Sequence, residues 1–262
     1  MSGPRPGFGA GLRPTFARAL ANALPGRKAL ILLLVLAVPP VLMALSGMET
    51  ERHQRSGFFF IVFFLYLQFL VPLCALLFGT EILLAEFSGG NLPYLFTRPV
   101  PRGSIVLGKY AAYLIAGSTA LGASLWATLL VYGGAPLPEA VPGRALLAVL
   151  AAYPAYLAAF AFLSAFTKWS LMAGFLYAFG VEFFLGIIPG MVRKGTMLYY
   201  SRSLLGEWEE TPRTLRNFFG LDGPAGIAGS VVTLTVIAVV ALILSLWIIR
   251  RKQFVERNPG RA

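Results

Sequence analysis

Long apolar runs alternate with short polar breaks along the whole chain. Six runs stand out, roughly Ala29–Ser46, Phe58–Thr80, Ile105–Tyr132, Arg144–Phe166, Leu171–Ile188 and Ile227–Ile249. Each has about 18 residues or more, the length a helix needs to cross the hydrocarbon core of a bilayer. The second run could continue to Glu86. The breaks between them hold helix-stopping and turn residues: Met48–Ser56 is polar, Gly133–Gly143 is rich in Pro and Gly, Thr167–Ser170 is a tight turn, and Pro189-Gly190 ends the fifth run. Ahead of the first run, Leu12, Phe16, Leu20 and Leu24 recur every fourth residue, with Arg13 and Arg18 on other faces. This spacing predicts an amphipathic helix over Leu12–Leu24, with Pro14 in its first turn, that stops at Pro25-Gly26. It is expected to lie along the inner membrane surface, with an ordinary cytosolic extension as the alternative.

The resulting expectation is an all-α membrane protein with six transmembrane helices in a single domain spanning 1–262. Residues 1–28 form a cytosolic or interfacial N-terminal segment, 29–249 the membrane domain and 250–262 a cytosolic tail. Several positions inside the runs need partners away from lipid: the Pro39-Pro40 pair, Gln68 and Pro72, and Glu182. Gln68 and Glu182 are candidates for a translocation path. For Glu182, a role in a polar path or in proton uptake stands beside a purely packing role between helices. Gly117, Ser118, Gly122 and Ala123 give the third helix a small-residue face for close contact. Met191–Ala225 is the one long connection, and its mixed charges and aromatics predict short helices packed at the membrane surface.

Composition supports this class. The 262 residues are 57% hydrophobic and only 13% charged, where a soluble domain would carry roughly a quarter charged residues. The net charge of +11 would suggest nucleic acid in a soluble protein, but here the cations flank apolar runs and no basic stripe exists elsewhere. Nucleic-acid binding is therefore excluded, and membrane lipids are the expected contacts of these cations. The single Cys74 permits no intrachain disulfide, and the single His53 makes a histidine-based metal site or a Ser-His-Asp triad implausible. With both termini placed inside, 14 Lys and Arg fall on the inner side and 8 on the outer. Setting aside the long connection, which crosses with less regard for charge, leaves 3 on the outer side. Both termini and the loop between the second and third helices are thus expected in the cytosol.

That loop carries the most specific pattern. Glu81–Lys109 reads E-I-L-L-A-E-F-S-G-G-N-L-P-Y-L-F-T-R-P-V-P-R-G-S-I-V-L-G-K. Its apolar surface, Leu92, Tyr94, Leu95 and Phe96, is flanked by Arg98-Pro99 and Pro101-Arg102, which suits docking on another protein. Gly103–Lys109 fits the first seven positions of a phosphate-binding loop, but Tyr110 stands where that motif needs Ser or Thr, and no strand precedes it.

The stretch resembles the permease subunits of ABC-2 type ATP-binding-cassette transporters. The matching positions are Glu86, Gly90-Asn91-Leu92, Leu95-Phe96, Pro99-Val100-Pro101-Arg102 and Gly108-Lys109; Asn91 stands where the family usually has Thr, and Phe87-Ser88 where it has a charged pair. The resemblance implies that Leu92–Arg102 is a coupling helix gripped by a separate cytosolic ATPase. Glu86, Leu92, Tyr94, Leu95, Phe96, Arg98, Pro99, Arg102 and Lys109 are then the coupling residues. Glu86 would fix the loop by pairing with Arg98 or Arg102, against the plainer reading of a solvated helix-end charge. The resemblance further implies a cell-membrane dimer with a second permease copy and export as the direction of transport. No catalytic residues, metal or cofactor are expected in the chain, with ATP and Mg on the partner ATPase. A membrane scaffold without transport and an ion-coupled carrier are the alternative functions.

Overall fold

The computed structural model describes residues 8–23, 27–46, 51–88, 102–133, 137–167, 169–187, 191–206 and 225–251. Among them every regular element is helical. The elements are α1 (Phe8–Ala23), α2 (Arg27–Ser46) and α3, which joins Glu51–Phe60, a π-helical stretch Ile61–Leu70, and Val71–Ser88. They continue with α4 (Arg102–Val131) and α5 (Ala140–Phe166). Then comes α6, made of Ser170–Phe175, a second π-helical stretch Leu176–Val181, and Glu182–Ile187. A 3₁₀ turn (Met191–Gly195), α7 (Met197–Ser203) and α8 (Ile227–Arg251) complete the order.

Four of these helices contain stretches long and apolar enough to cross a membrane: Ser56–Leu83, Gly103–Val131, Ala140–Phe166 and Ile227–Ile249. Two shorter apolar stretches, Leu30–Leu45 and Ser170–Gly186, belong to α2 and α6. The sequence places a polar loop over Met48–Ser56, but α3 is already helical at Glu51. Glu-Arg-His-Gln-Arg holds no Pro or Gly, so nothing stops the helix until Gly57, which it tolerates.

α5 is the central element. Its alanines (Ala145, Ala148, Ala152, Ala155, Ala158, Ala161) are all buried, which lets neighbours come close on several sides. α3 packs on one side of it and α8 on another. The tightest approach falls at Gly79 of α3, where an added Cβ would lie 2.7 Å from Phe160 Cβ and 3.0 Å from the Leu157 carbonyl oxygen. On α4, Gly117 is filled over by the Tyr153 ring of α5, whose hydroxyl donates to Tyr113 O at 2.9 Å. The rest of the small-residue face expected on α4 plays a smaller part: Ala123 is exposed, and a Cβ on Gly122 would clear Leu146 by 3.9 Å.

α1 packs on α4. An added Cβ at Gly108 would fall 2.4 Å from Thr15 Oγ1 and 3.1 Å from Leu12 O. Phe16 and Leu20 of the apolar stripe pack against the core, while Arg13 and Arg18 face outward. Phe16 and Leu20 of the stripe thus meet protein in part, while Leu24 lies outside the described residues. Pro14 lies in the second turn of α1 rather than the first, because the helix begins at Phe8 and not at Leu12.

The Pro39-Pro40 pair does not interrupt α2. Pro40 has no N–H to offer the Leu36 carbonyl one turn earlier. That carbonyl instead accepts from Ser124 Oγ of α4 at 2.6 Å. Ser124 Oγ is also 2.8 Å from Tyr66 OH, which is 2.9 Å from Thr128 Oγ1. A hydroxyl has one hydrogen, and Ser124 commits its own to Leu36, so Tyr66 is the donor to Ser124. A hydroxyl chain thus joins α2, α3 and α4 at the point where proline frees a backbone acceptor.

Candidate functional site: a buried polar cluster between two π-helical turns

Among the described residues two helices widen to π geometry, and each does so next to a buried polar residue. In α3 the Val71 N–H bonds back five residues to Tyr66 O, and Gln68 lies inside that wide stretch. Pro72 follows at once, and a widened turn relieves the clash of its ring with the carbonyl four residues earlier. In α6 the Glu182 N–H bonds back five residues to Tyr177 O. The two wide stretches meet through Phe69 and Phe179, whose ring centroids are 4.8 Å apart.

Between them lies the main polar cluster of the interior. Glu182 is 2% exposed and accepts from Tyr156 OH of α5, from Tyr177 OH at 2.9 Å and from the Met197 N–H at 3.1 Å. The Met197 N–H is one of the free donors at the start of α7, so the carboxylate satisfies a helix end as well as two hydroxyls. Thr196 caps the same helix by accepting from the Tyr199 N–H at 3.2 Å. Arg202, 7% exposed on α7, donates from Nη2 to Gln68 Oε1 at 2.8 Å. Its positive charge also acts favourably on Glu182. Glu182, Gln68, Tyr156, Tyr177 and Arg202 each take part in at least one of these hydrogen bonds, which offsets the cost of keeping them out of water.

The sequence singled out Gln68 and Glu182, and the fold brings both into one cluster, linked by Arg202. Each is enclosed in this conformation: Gln68 is 3% exposed. Tyr156, Tyr177 and Arg202 escaped the sequence reading. A buried carboxylate calls for donors, so tyrosines on neighbouring spans were the available signal. Arg202 gave none, because its segment was expected at the membrane surface. Over the described part, 191–206, the segment holds short helices, a 3₁₀ turn and α7, and Met197, Leu198, Ser201, Leu204 and Leu205 are buried against the other helices. The apolar residues of Met197–Leu205 drive the segment inward, and the cluster receives the one charge it carries with it. The rest of the connection, 207–224, lies outside the described residues.

Among the coupling positions, Glu86 falls in the last turns of α3 and Arg102 opens α4. Lys109 donates from Nζ to the Ile82 carbonyl oxygen at 3.2 Å, tying the start of α4 to the end of α3. Leu92, Tyr94, Leu95, Phe96, Arg98 and Pro99 lie outside the described residues. Gly103–Lys109 is helical throughout, so this stretch does not form the loop that a phosphate cradle requires.

The arrangement is inverted relative to a water-soluble protein. Large apolar side chains point outward on several helices, among them Leu30, Leu33 and Leu45 of α2, Leu130 of α4, Phe175 of α6 and Ile243 of α8. Glu182, Arg202 and Gln68 point inward. Such exposure over whole helix faces is stable against lipid and not against water, so the chain is a polytopic helical membrane protein. Residues 42–253 match the family described as ABC-2 family transporter protein, and the chain belongs to that family. A comparison with proteins of curated function gave no match.

Proposed function

We propose that this chain is the permease subunit of an ATP-binding-cassette exporter, driven by a separate cytosolic ATPase that carries the ATP and Mg. The observation that carries the proposal is the family match across 42–253. In this reading α2, α3, α4, α5, α6 and α8 are six spans. The 20 residues of α2 rise roughly 30 Å, which suffices for a crossing. The distribution of Lys and Arg supports cytosolic termini and a cytosolic α3–α4 connection. Leu92–Arg102 is the handle for the ATPase, and Glu86 and Lys109 stand at its two feet. Because Lys109 ties α4 to Ile82 of α3, a push on the handle moves both helices together. A second permease copy completes the transporter, and closure of the ATPase pair rocks the two halves between inward- and outward-open states. Gln68 and Glu182 then line the route once their cluster parts.

The test is co-expression with an ATPase encoded beside this chain, followed by affinity purification and ATP-driven transport in proteoliposomes. Stable co-purification that Arg102→Glu weakens, with transport that requires ATP, is the expected result. Binding without ATP-dependent transport would favour a scaffold. Transport abolished by an uncoupler and indifferent to ATP would favour an ion-coupled carrier. Either result would overturn the proposal.

A further inference from the structure

Hydrogen counting fixes the ionisation of the buried carboxylate. Tyr156 OH, Tyr177 OH and the Met197 N–H all point a hydrogen at Glu182. Among the described residues neither phenol hydroxyl has another acceptor. A protonated Glu182 would have to donate to one of the two tyrosines, and that tyrosine's own hydrogen would then have nowhere to go. The ionised form satisfies all the donors at once, and the nearby charge of Arg202 acts in its favour. Glu182 is therefore a fixed negative charge rather than a proton carrier.

Aromatic rings stand around that charge. Tyr156 and Phe160 stack one turn apart on α5 with centroids 6.1 Å apart, and Tyr177 of α6 meets Phe160 edge-on at 6.5 Å. Ring faces beside a carboxylate are the chemistry that holds a substituted ammonium or another soft organic cation. A bare metal ion fits less well, because a hard cation asks for about six oxygen ligands and no group of three His, Cys, Asp or Glu side chains stands together among the described residues. The place is also reachable from one side. Tyr156 and Phe160 are buried, but Tyr177 is half-buried, and Leu176 and Val181 beside it are 65% and 43% exposed. All three lie in the π-helical stretch of α6, and such stretches often fall at functional sites. A molecule dissolved in the membrane meets Tyr177 first and finds the carboxylate 2.9 Å behind its hydroxyl.

We propose that Glu182, Tyr156, Phe160 and Tyr177 form a recognition site for a lipid-soluble organic cation, entered on the Tyr177 side of α6. In the enclosed state the Arg202 guanidinium supplies the compensating positive charge, and the bound cation takes over that part. The inference rests on the proposed transport function and names its substrate class, but its test measures binding alone.

The full-length chain is reconstituted in phosphatidylcholine nanodiscs, and binding of radiolabelled tetraphenylphosphonium is measured by equilibrium dialysis, with empty nanodiscs as the blank. Saturable binding is expected, with the neutral triphenylphosphine oxide competing about tenfold less well or worse. Glu182→Gln, which keeps a hydrogen-bond acceptor and removes the charge, should weaken binding by about tenfold or more. Tyr177→Leu, which removes the ring, should weaken it by about threefold or more. Arg202→Gln keeps a donor for Gln68 and removes the competing charge, so it should tighten binding. A damaged fold cannot produce that opposite sign. No saturable binding, parent-like affinity in Glu182→Gln, equal competition by the neutral oxide, or weaker binding in Arg202→Gln would each overturn the site. Cation binding with this pattern but no ATPase co-purification would sink the transporter reading and leave the site standing. ATP-driven transport with cation binding indifferent to Glu182 would do the reverse.

Discussion

Replacing Ser124 tests how the chain tolerates two prolines inside a span. Ser124 Oγ donates to Leu36 O at 2.6 Å, and Pro40 has removed the backbone donor that carbonyl would otherwise use. Ser124→Ala leaves the carbonyl without that partner at a site where the serine is only 8% exposed. An unsatisfied buried acceptor costs about 1–3 kcal/mol, while hydrogen bonds between membrane helices average about 0.6 and reach about 1.7 kcal/mol in double-mutant cycles. The two scales overlap at about 1–2 kcal/mol, the expected loss. Tyr66 keeps Thr128 as a partner, so the damage is confined to Leu36. Cys74, fully buried, is a built-in reporter: a thiol-reactive dye followed on heating in micelles reads its exposure. At about 2–4 °C per kcal/mol, the midpoint should fall by a few degrees. The decisive comparison is the same change in a Pro40→Ala background. There residue 40 supplies an N–H to Leu36, so most of the cost of Ser124→Ala should disappear. An undiminished cost in that background would refute the account of Ser124 as stand-in donor for the proline-freed carbonyl.

Further changes probe the packing and the cluster. Gly79→Ala should destabilise by about 1–3 kcal/mol, because the new Cβ meets Phe160 Cβ and the backbone of α5, neither of which can swing aside. Gly122→Ala, with its nearest neighbour 3.9 Å away, should be neutral or gain up to about 1 kcal/mol, and the same thermal assay compares the two. Gly206→Ala should cost about 1–2 kcal/mol, since φ is +78° there and the Cβ would lie 2.7 Å from Arg144 Nη1; Gly206→Asn should recover part of the loss. Glu182→Leu leaves two hydroxyls and the Met197 N–H without their acceptor and should cost about 3 kcal/mol or more, whereas Glu182→Gln keeps an acceptor and should cost clearly less. Equal melting points for the two Glu182 variants would contradict that role.

The membrane class and the helix order were legible because a bilayer imposes a length and a composition that one sequence displays openly. Runs of apolar residues and the Lys and Arg at their ends needed no knowledge of neighbours. Boundaries moved where local rules were weak: α3 starts at Glu51 because Glu-Arg-His-Gln-Arg forms helix as readily as loop, and α1 starts at Phe8 rather than Leu12. Gln68 and Glu182 were also legible, since a polar side chain inside an apolar run must have a partner. What the sequence could not name was the partner. Arg202 is 134 positions from Gln68, and Met197 is 15 from Glu182 across a turn. The hydroxyl of Ser124 covers a carbonyl 88 positions away. Local sequence determines which segments become helices and which of them avoid water, because those preferences act on neighbouring residues. Which buried polar groups meet, where two helices widen, and how the stretch from Thr196 to Leu205 turns inward are decided only when the helices pack. A buried donor and acceptor lower the free energy jointly, and neither one alone encodes the other's place in the chain.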